Sequence, residues 1–418
     1  MKTKQYITQV CEEAKKAARV LSNISTNDKN KVLKDMAAAI RKNAKYIIAA
    51  NQKDVGAAKT SGKSQSFIDR LLLDKKRIEY MAKCIEGVVK LPDPCGEIIK
   101  MQKRPNGLIM AKMRAPIGVI GIIYEARPNV TSDCATLCLK SGNAVILKGG
   151  AGAIKSNVAI CEILRTCLKK QKLPLGSIQL IESTKRDATN CLLKMDKYLD
   201  LIIPRGGEAL IKAVVKSARM PVIKHYKGIC HVYVDKTANL KKAFNICFNA
   251  KVQRPGVCNA MEVMLVDKKI AAFFLPEMIK RFKKAGVEIR GCTKTRKLIK
   301  GLKKACAKDF STEFLNLTLA VKITSGLEEA IAHINTFGSS HSDAIVAENY
   351  QSALKFLKEV DSACVYSNAS TRFTDGYEFG MGAEIGISTD KIHARGPMAL
   401  EELSTYKYIV FGTGQVRK

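Results

Sequence analysis

No stretch of this chain approaches the roughly 18 uninterrupted apolar residues that a membrane helix requires, so a spanning role is not expected. Met1 to Ile24 also lacks the apolar core and cleavage site of a signal peptide. Its pattern YITQVCEEAKKAARVL carries Glu12 and Glu13 and reads as an amphipathic helix. The 14 cysteines contain no C-x-x-C pair and no framework spacing, which argues against a disulfide scaffold and for free thiols in a reducing compartment, the cytoplasm. Histidines are few and scattered (His225, His231, His333, His341, His393), with Cys230-His231 the only adjacent Cys-His pair. Zinc-ligand spacing is absent, and no metal is expected. Internal repeats and low-complexity stretches are missing as well.

Acidic residues are scarce beside basic ones, 38 against 71, which leaves a formal charge of +33. The excess is densest from Lys280 to Lys308, where twelve Lys or Arg face a single acid, Glu288. A single-strand nucleic-acid platform would interleave aromatics with these bases, and only Phe282 does so. A solvated basic surface is therefore favoured and nucleic acid is not the expected partner. A basic RNA- or protein-binding role stands as the alternative. The charge also suits anionic ligands such as phosphates.

At 418 residues the chain is too long for one core and should form two or three domains. Helical patterns fill Met1 to Val89, including Asp28 to Ala50, with Ser25, Thr26 or Asn27 as N-cap. Glu97 to Lys112 alternates around Pro105-Asn106-Gly107 and predicts a β-hairpin, a plausible arm for subunit contact. From Ile117 the rhythm becomes βαβ, with strands predicted at Gly118 to Tyr124, Ala144 to Leu147, Ile178 to Ile181 and Leu199 to Ile203. A second α/β unit has strands at His231 to Val234, Met261 to Val266, Thr318 to Ile323 and Ala344 to Val346. Parallel sheets bind ligands beyond the carboxyl ends of their strands, where helix N-termini attract phosphate. Lys148-Gly149-Gly150-Ala151-Gly152 and Pro204-Arg205-Gly206-Gly207 suit that role by position, although neither is a standard dinucleotide or P-loop signature. The tail Thr405 to Gly412 is strand-like and needs a partner edge, expected from another chain.

One cysteine stands apart. Gln253-Arg254-Pro255-Gly256-Val257-Cys258-Asn259 lies between a helical pattern (Lys241 to Gln253) and the strand from Met261, with Pro255 and Gly256 ending the helix. Such a junction holds a thiol between two rigid elements at an open loop. Arg254 nearby favours the thiolate that acts as a nucleophile. Buried structural cysteine is the alternative, and it fits most of the other thiols.

The segments RAPIGVIGIIYEARPNVTSD (114 to 133), LCLKSGNAVILKGG (137 to 150), MDKYLDLIIPRGG (195 to 207), CHVYVD (230 to 235), NAKVQRPGVCNAMEVMLV (249 to 266), HSDAIV (341 to 346) and VYSNASTRFTDGYEFGMGAEIGISTDKIHARGP (365 to 397) occur in one order. Together they resemble the aldehyde dehydrogenase superfamily, and within it the branch that reduces glutamyl phosphate in proline biosynthesis. The resemblance covers essentially the whole chain.

It implies an α/β fold with a Rossmann-like NADP-binding domain (1–96 and 113–235), a catalytic domain carrying Cys258 (236–365), and an oligomerisation element with a substrate-site loop and C-terminal strand (97–112 and 366–418). The implied reaction is reduction of L-glutamyl 5-phosphate by NADPH to L-glutamate 5-semialdehyde, with Cys258 as nucleophile and a thioester between. The backbone N–H of Cys258 would serve the oxyanion. The superfamily's oxyanion asparagine is out of register, with Glu125 in its place, so Asn129 or Arg127 is expected to substitute. Cofactor contacts are expected from Lys148, Arg205, Gly206, Gly207 and Glu313. Arg127, Arg254 and Arg372 are expected as cationic clamps on the substrate, with Ser370 and Thr371 as hydroxyl donors. Hydrolytic members carry a glutamate about 34 residues before the cysteine to activate water. Here that position is Lys224, which favours phosphate exchange over hydrolysis. His225 beside it is either a base or structural. A homo-oligomer, dimer or tetramer, is implied, as is partnership with glutamate 5-kinase because the acyl phosphate is labile. A CoA-acylating aldehyde dehydrogenase of the same fold is the enzymatic alternative.

Overall fold

The computed structural model describes residues 3–417, which divide into two compact units. One runs to Lys224 and takes in Gly380–Gly386 and the stretch from Met398 onward. The other holds His225–Phe379 and Ile387–Pro397. Among the described residues no helix is long and apolar enough to cross a membrane.

The first unit opens with helices Thr3–Leu21, Thr26–Lys42, Ala44–Thr60, Gln65–Leu71 and Lys75–Lys90, the helical prelude expected from the periodicity. In the first of them Ile7, Val10, Cys11, Ala14, Ala18 and Leu21 recur at helical spacing and are buried. Ser25 is the cap of the second, its Oγ accepting from the Asp28 N–H at 3.2 Å. The single helix expected across Asp28 to Ala50 is instead two. Asn43 donates from Nδ2 to the Ala39 carbonyl at 2.8 Å and leaves helical geometry, a short amide competing with the backbone for a carbonyl.

The hairpin forms from β1 (Ile98–Lys103) and β2 (Ile109–Pro116), closed by the Arg104 N–H on the Leu108 carbonyl at 2.7 Å, with Gly107 at φ +90 in the turn. The C-terminal strand Ser404–Phe411 pairs antiparallel with β2, placing Ser404 opposite Pro116 and Phe411 opposite Ile109. This corrects the expectation of another chain as its partner. The hairpin uses only one edge of β2, and the tail of the same chain takes the second.

A parallel sheet of β3 (Val119–Tyr124), β4 (Ala144–Gly149), β5 (Ile178–Leu180) and β6 (Leu201–Arg205) follows, in the order β5-β4-β3-β6. Strands β3 and β4 are buried at every position, as continuous apolar runs between two helical layers must be. The chain steps from β3 to β4 on one side and returns to β6 on the other. The loops after Tyr124 and Arg205 therefore flank a switch point in strand order, the usual place for a ligand.

The second unit is a seven-stranded parallel sheet of β7 (Cys230–Val234), β8 (Met261–Asp267), β9 (Glu288–Gly291), β10 (Lys303–Lys304), β11 (Thr318–Thr324), β12 (Ser342–Val346) and β13 (Cys364–Ser367). Its order is β10-β9-β11-β8-β7-β12-β13. Helices Leu240–Val252 and Ala271–Lys284 bury Ala243, Cys247, Phe274, Met278 and Phe282 on one face. Helices Leu327–Phe337 and Tyr350–Glu359 bury Ile331, Ile334 and Phe356 on the other. The short strand β9 went unpredicted because its Glu288 and Arg290 alternate with apolar positions inside the basic block. Arg290 bonds Glu288 at 2.9 Å and Asp309 at 2.7 Å, so part of that block is engaged in local pairing.

Lys251, in the helix before the Cys258 turn, forms an ion pair with Glu262, in the strand after it, and both side chains are fully buried. Glu262 also accepts from the Leu315 N–H at 3.0 Å. Burial pushes the carboxyl of Glu262 up to about 7 and the ammonium of Lys251 down, and in each case the partner's charge acts in the opposite direction. The pair joins the two arms of the turn. We expect Lys251→Met to cost about 3–5 kcal/mol in urea unfolding, because it strands Glu262, and the double replacement Lys251→Met with Glu262→Leu to recover most of that loss.

Candidate active site

The Cys258 turn begins at Gln253, directly after helix Leu240–Val252 and two residues before Pro255. Cys258 is partly exposed and Asn259 beside it is buried. Asn259 anchors the turn with three groups. Its Nδ2 donates to the Thr374 carbonyl at 2.8 Å, its carbonyl accepts from Thr371 Oγ1 at 2.7 Å, and its Oδ1 accepts from the Arg372 guanidinium. Arg372 Nε also donates to Gln253 Oε1 at 2.9 Å, spanning the turn. Burial, and after it the like charge of Arg254, draws Arg372 below the usual guanidinium range, with Cys258 acting in the opposite direction. Arg254 and Cys258 thus lie within electrostatic reach of Arg372.

Below the turn lies Gly228. A Cβ built there would stand 1.8 Å from the Cys258 carbonyl oxygen and 2.6 Å from its Cα, so only glycine permits the approach. The Gly228 N–H donates to Glu313 Oε1 at 2.8 Å, and the Cys230 thiol donates to the Cys258 carbonyl at 3.2 Å. Glu313, expected at a nicotinamide ribose, is in this structure a backbone anchor for Gly228 beneath Cys258. Ligand atoms of His225, Cys258 and His341 lie within 4.8 Å of one another. His225 Nδ1 bonds the Ile387 carbonyl at 2.8 Å, and His341 Nδ1 bonds Ser342 Oγ at the same distance. His231 serves the core instead, its Nδ1 at 2.9 Å from Asp343 Oδ1 with both side chains fully buried.

The two residues expected as hydroxyl donors to the substrate bond within their own chain. Ser370 and Thr371 are buried, with Ser370 Oγ accepting from the Arg372 N–H at 3.3 Å and Thr371 Oγ1 donating to Asn259. Their hydroxyls hold the loop that carries Arg372, because a tight 3-10 turn leaves backbone groups that short side chains satisfy. Missed by the sequence reading were Gly228, Asn259, His341 and the Lys251–Glu262 pair. The asparagine next to Cys258 was the only signal available.

In the first unit, the loop after β3 and the start of helix Glu208–Ser217 meet. Glu125 Oε1 accepts the Gly207 N–H at 3.1 Å, so a carboxylate lies at this helix N-terminus. A Cβ on Gly206 would meet Glu125 at 2.7 Å, whereas one on Gly207 would meet nothing nearer than 3.7 Å. Arg127 is exposed at the same loop, and Asn129 opens helix Asn129–Lys140, its Nδ2 donating to Asp133 Oδ2 at 2.9 Å. Lys148, at the carboxyl end of β4, is buried and donates to the Gly149 carbonyl at 3.0 Å; burial lowers its pKa. A buried ammonium of this kind gains from an incoming anion.

Asp133 links Asn129 to Arg205. Burial pushes its carboxyl up to about 6, against the bonds from Asn129 and Ser132 and the charge of Arg205. A raised carboxyl holds its proton more tightly in the folded chain, so its contribution to stability falls as pH rises from about 4 through about 6. Asp133→Asn is expected to remove this slope. Part of the side chain remains accessible, which limits the effect. In urea titrations the variant should be about 1–2 kcal/mol more stable than wild type at about pH 7.5, and equal to it at about pH 4.

Residues 1–294 match the aldehyde dehydrogenase family. A parallel-stranded cofactor-type unit and a cysteine on a turn before a sheet strand define the class, an α/β oxidoreductase of aldehyde dehydrogenase fold. The chain belongs to that family, in the branch of the γ-glutamyl phosphate reductases. It is 54% identical to the γ-glutamyl phosphate reductase of Thermodesulfovibrio yellowstonii over 100% of both chains. It is 56% identical to that of Thermoanaerobacter pseudethanolicus, over 97% of this chain and 98% of the other. The crystal structure of γ-glutamyl phosphate reductase from Thermotoga maritima superposes with a TM-score of 0.96 at 47% identity, covering 99% of this chain and 100% of that one. An acetylating aldehyde dehydrogenase from Geobacillus thermoglucosidasius shares the fold at 20% identity and a TM-score of 0.70, with 100% of this chain and 98% of that one covered.

Proposed function

We propose that the chain reduces L-glutamyl 5-phosphate to L-glutamate 5-semialdehyde with NADPH, in proline biosynthesis, through a thioester on Cys258. The observation that carries the reading is the Cys258 turn, a partly exposed thiol in the neighbourhood of Arg254 and Arg372 with Lys224 where a hydrolytic relative needs a carboxylate. The Cys258 thiolate bonds to the acyl carbon, the C–O bond to phosphate breaks, and its electron pair leaves with phosphate. A nicotinamide cofactor would supply, when bound, the hydride for reduction of the thioester. Collapse of the resulting thiohemiacetal breaks the C–S bond, returns the thiolate and frees the aldehyde. Backbone N–H of Cys258 serves the oxyanion at both additions, and in the first unit Asn129 and Arg127 are the side-chain candidates for that task.

Arg254 and Arg372 bind the anionic groups of the substrate, Arg127 being the third clamp, while Ser370 and Thr371 hold the Arg372 loop in place. Lys148 would meet the cofactor's 2′-phosphate, and Arg205, Gly206 and Gly207 its pyrophosphate. Buried Lys148 and the open space over Gly207 fit such a group. Glu313 keeps a cofactor role only if the ribose shares it with Gly228. Exposed Ile98, Met101, Tyr406, Tyr408 and Phe411 on the three-stranded sheet support a homo-oligomer. The lability of the acyl phosphate supports delivery by glutamate 5-kinase.

The test runs the reaction backwards. NADP⁺ reduction with glutamate 5-semialdehyde should require inorganic phosphate. Equal turnover without phosphate would replace this reading with hydrolysis, and turnover that responds to CoA instead would make the chain an acylating aldehyde dehydrogenase.

A further inference from the structure

The reaction above gives no part to His225 and His341, although both imidazoles stand beside the nucleophile. Their ligand atoms and the Cys258 sulfur lie within 4.8 Å of one another, and the rings are T-shaped with centroids 5.6 Å apart. We propose that Cys258, His225 and His341 form a site for a zinc-class divalent cation, which masks the nucleophile reversibly. One thiolate and two imidazoles with a fourth position open is a zinc donor set, and it selects Zn²⁺ or Co²⁺ over the oxygen-seeking Mg²⁺ and Ca²⁺.

Groups behind the ligands prepare the histidines. The Ile387 carbonyl can only accept, so His225 Nδ1 carries the hydrogen and Nε2 keeps its lone pair for a metal. His341 Nδ1 meets Ser342 Oγ, which continues to Thr374 Oγ1 at 2.6 Å and Tyr366 Oη at 2.7 Å from Thr374. A chain of hydroxyls reverses its polarity without moving a heavy atom, so it accommodates the tautomer that a metal requires. Tetrahedral zinc places ligand atoms about 3.5 Å apart, so the cluster must close by about 1 Å. Buried His341 is the fixed point, and the partly exposed Cys258 and His225 supply the movement. The positive charges of Arg254 and Arg372 oppose a cation. The site is therefore weaker than a closed four-ligand one, which suits release by substrate.

That masking stops catalysis rests on Cys258 being the nucleophile. Metal binding does not, and the test separates them. Zn²⁺ is added to the full chain, and iodoacetamide labelling of the Cys258 peptide is followed by mass spectrometry with and without EDTA. Saturating Zn²⁺ should slow that labelling at least about tenfold, EDTA should restore it, and His225→Gln should abolish the protection. The Co²⁺ form should show one thiolate charge-transfer band that is lost in Cys258→Ser. X-ray absorption of the zinc form should report one sulfur at about 2.3 Å and two nitrogens at about 2.0 Å. Unprotected Cys258, protection undiminished in His225→Gln, or a shell of several sulfurs would each overturn the site. His341→Gln adds a third ligand test if it folds, and the wild-type absorption spectrum decides the matter if it does not. Zinc that protects Cys258 while leaving turnover intact would keep the metal site and remove the masking, and with it the nucleophile assignment.

Discussion

Cys258→Ala is expected to lower kcat of the phosphate-dependent reaction by at least about 10⁴-fold, leaving only what binding and orientation supply. Cys230, the thiol nearest in the site, is buried, donates to the Cys258 carbonyl, and is held protonated by burial well above its ordinary range. The loss should appear in kcat, with little change in thermal stability, because the Cys258 side chain is partly exposed and makes no bond on which the fold depends. Mass spectrometry after incubation with acyl phosphate and no cofactor should find the acyl adduct on the Cys258 peptide in wild type and nowhere in the variant. Turnover within tenfold of wild type would end the thioester route.

The second large effect comes from Gly228, packed against the backbone of Cys258. In Gly228→Ala the new methyl would fall 1.8 Å from the Cys258 carbonyl oxygen and 2.6 Å from its Cα. Both atoms are backbone, so no rotamer change relieves the overlap, and the turn must move by about 1 Å or more. Displacements of that size near a reacting atom cost on the order of 10²-fold in rate. We expect kcat to fall by that factor, with a stability loss of about 1–3 kcal/mol from overpacking. Cys258 should remain open to alkylation, since the thiol itself is intact. If instead the variant turns over within threefold of wild type, the contact between Gly228 and the turn is not what holds the nucleophile in place.

The same site shows where reading from the chain alone succeeds. Helix termination at Pro255 and the apolar run from Met261 are local facts, so the Cys258 turn was legible with no tertiary information. The two parallel sheets were legible for the same reason, because strands buried on both faces leave continuous apolar runs. What the chain alone does not show is a bond to a partner distant in sequence. Thr371 sits in a polar loop segment and is an obvious candidate for binding, yet it is fully buried and bonded to Asn259 more than a hundred residues earlier. Glu313 carries no sign that its carboxylate will hold Gly228. The C-terminal strand announced that it needed an edge and could not say whose, and it found β2 of its own chain.

By itself, then, the sequence determined the alternation of strand and helix and the turn that presents Cys258 between a helix and a strand. Each of these follows from residue type and short-range spacing. Only the tertiary structure decided which loops at the amino ends of β7, β8 and β12 meet, so that Gly228 lies under Cys258 and two scattered histidines flank it. Parallel pairing brings together residues separated by whole βαβ units. The spacing of such neighbours is set by sheet order, which no local pattern encodes.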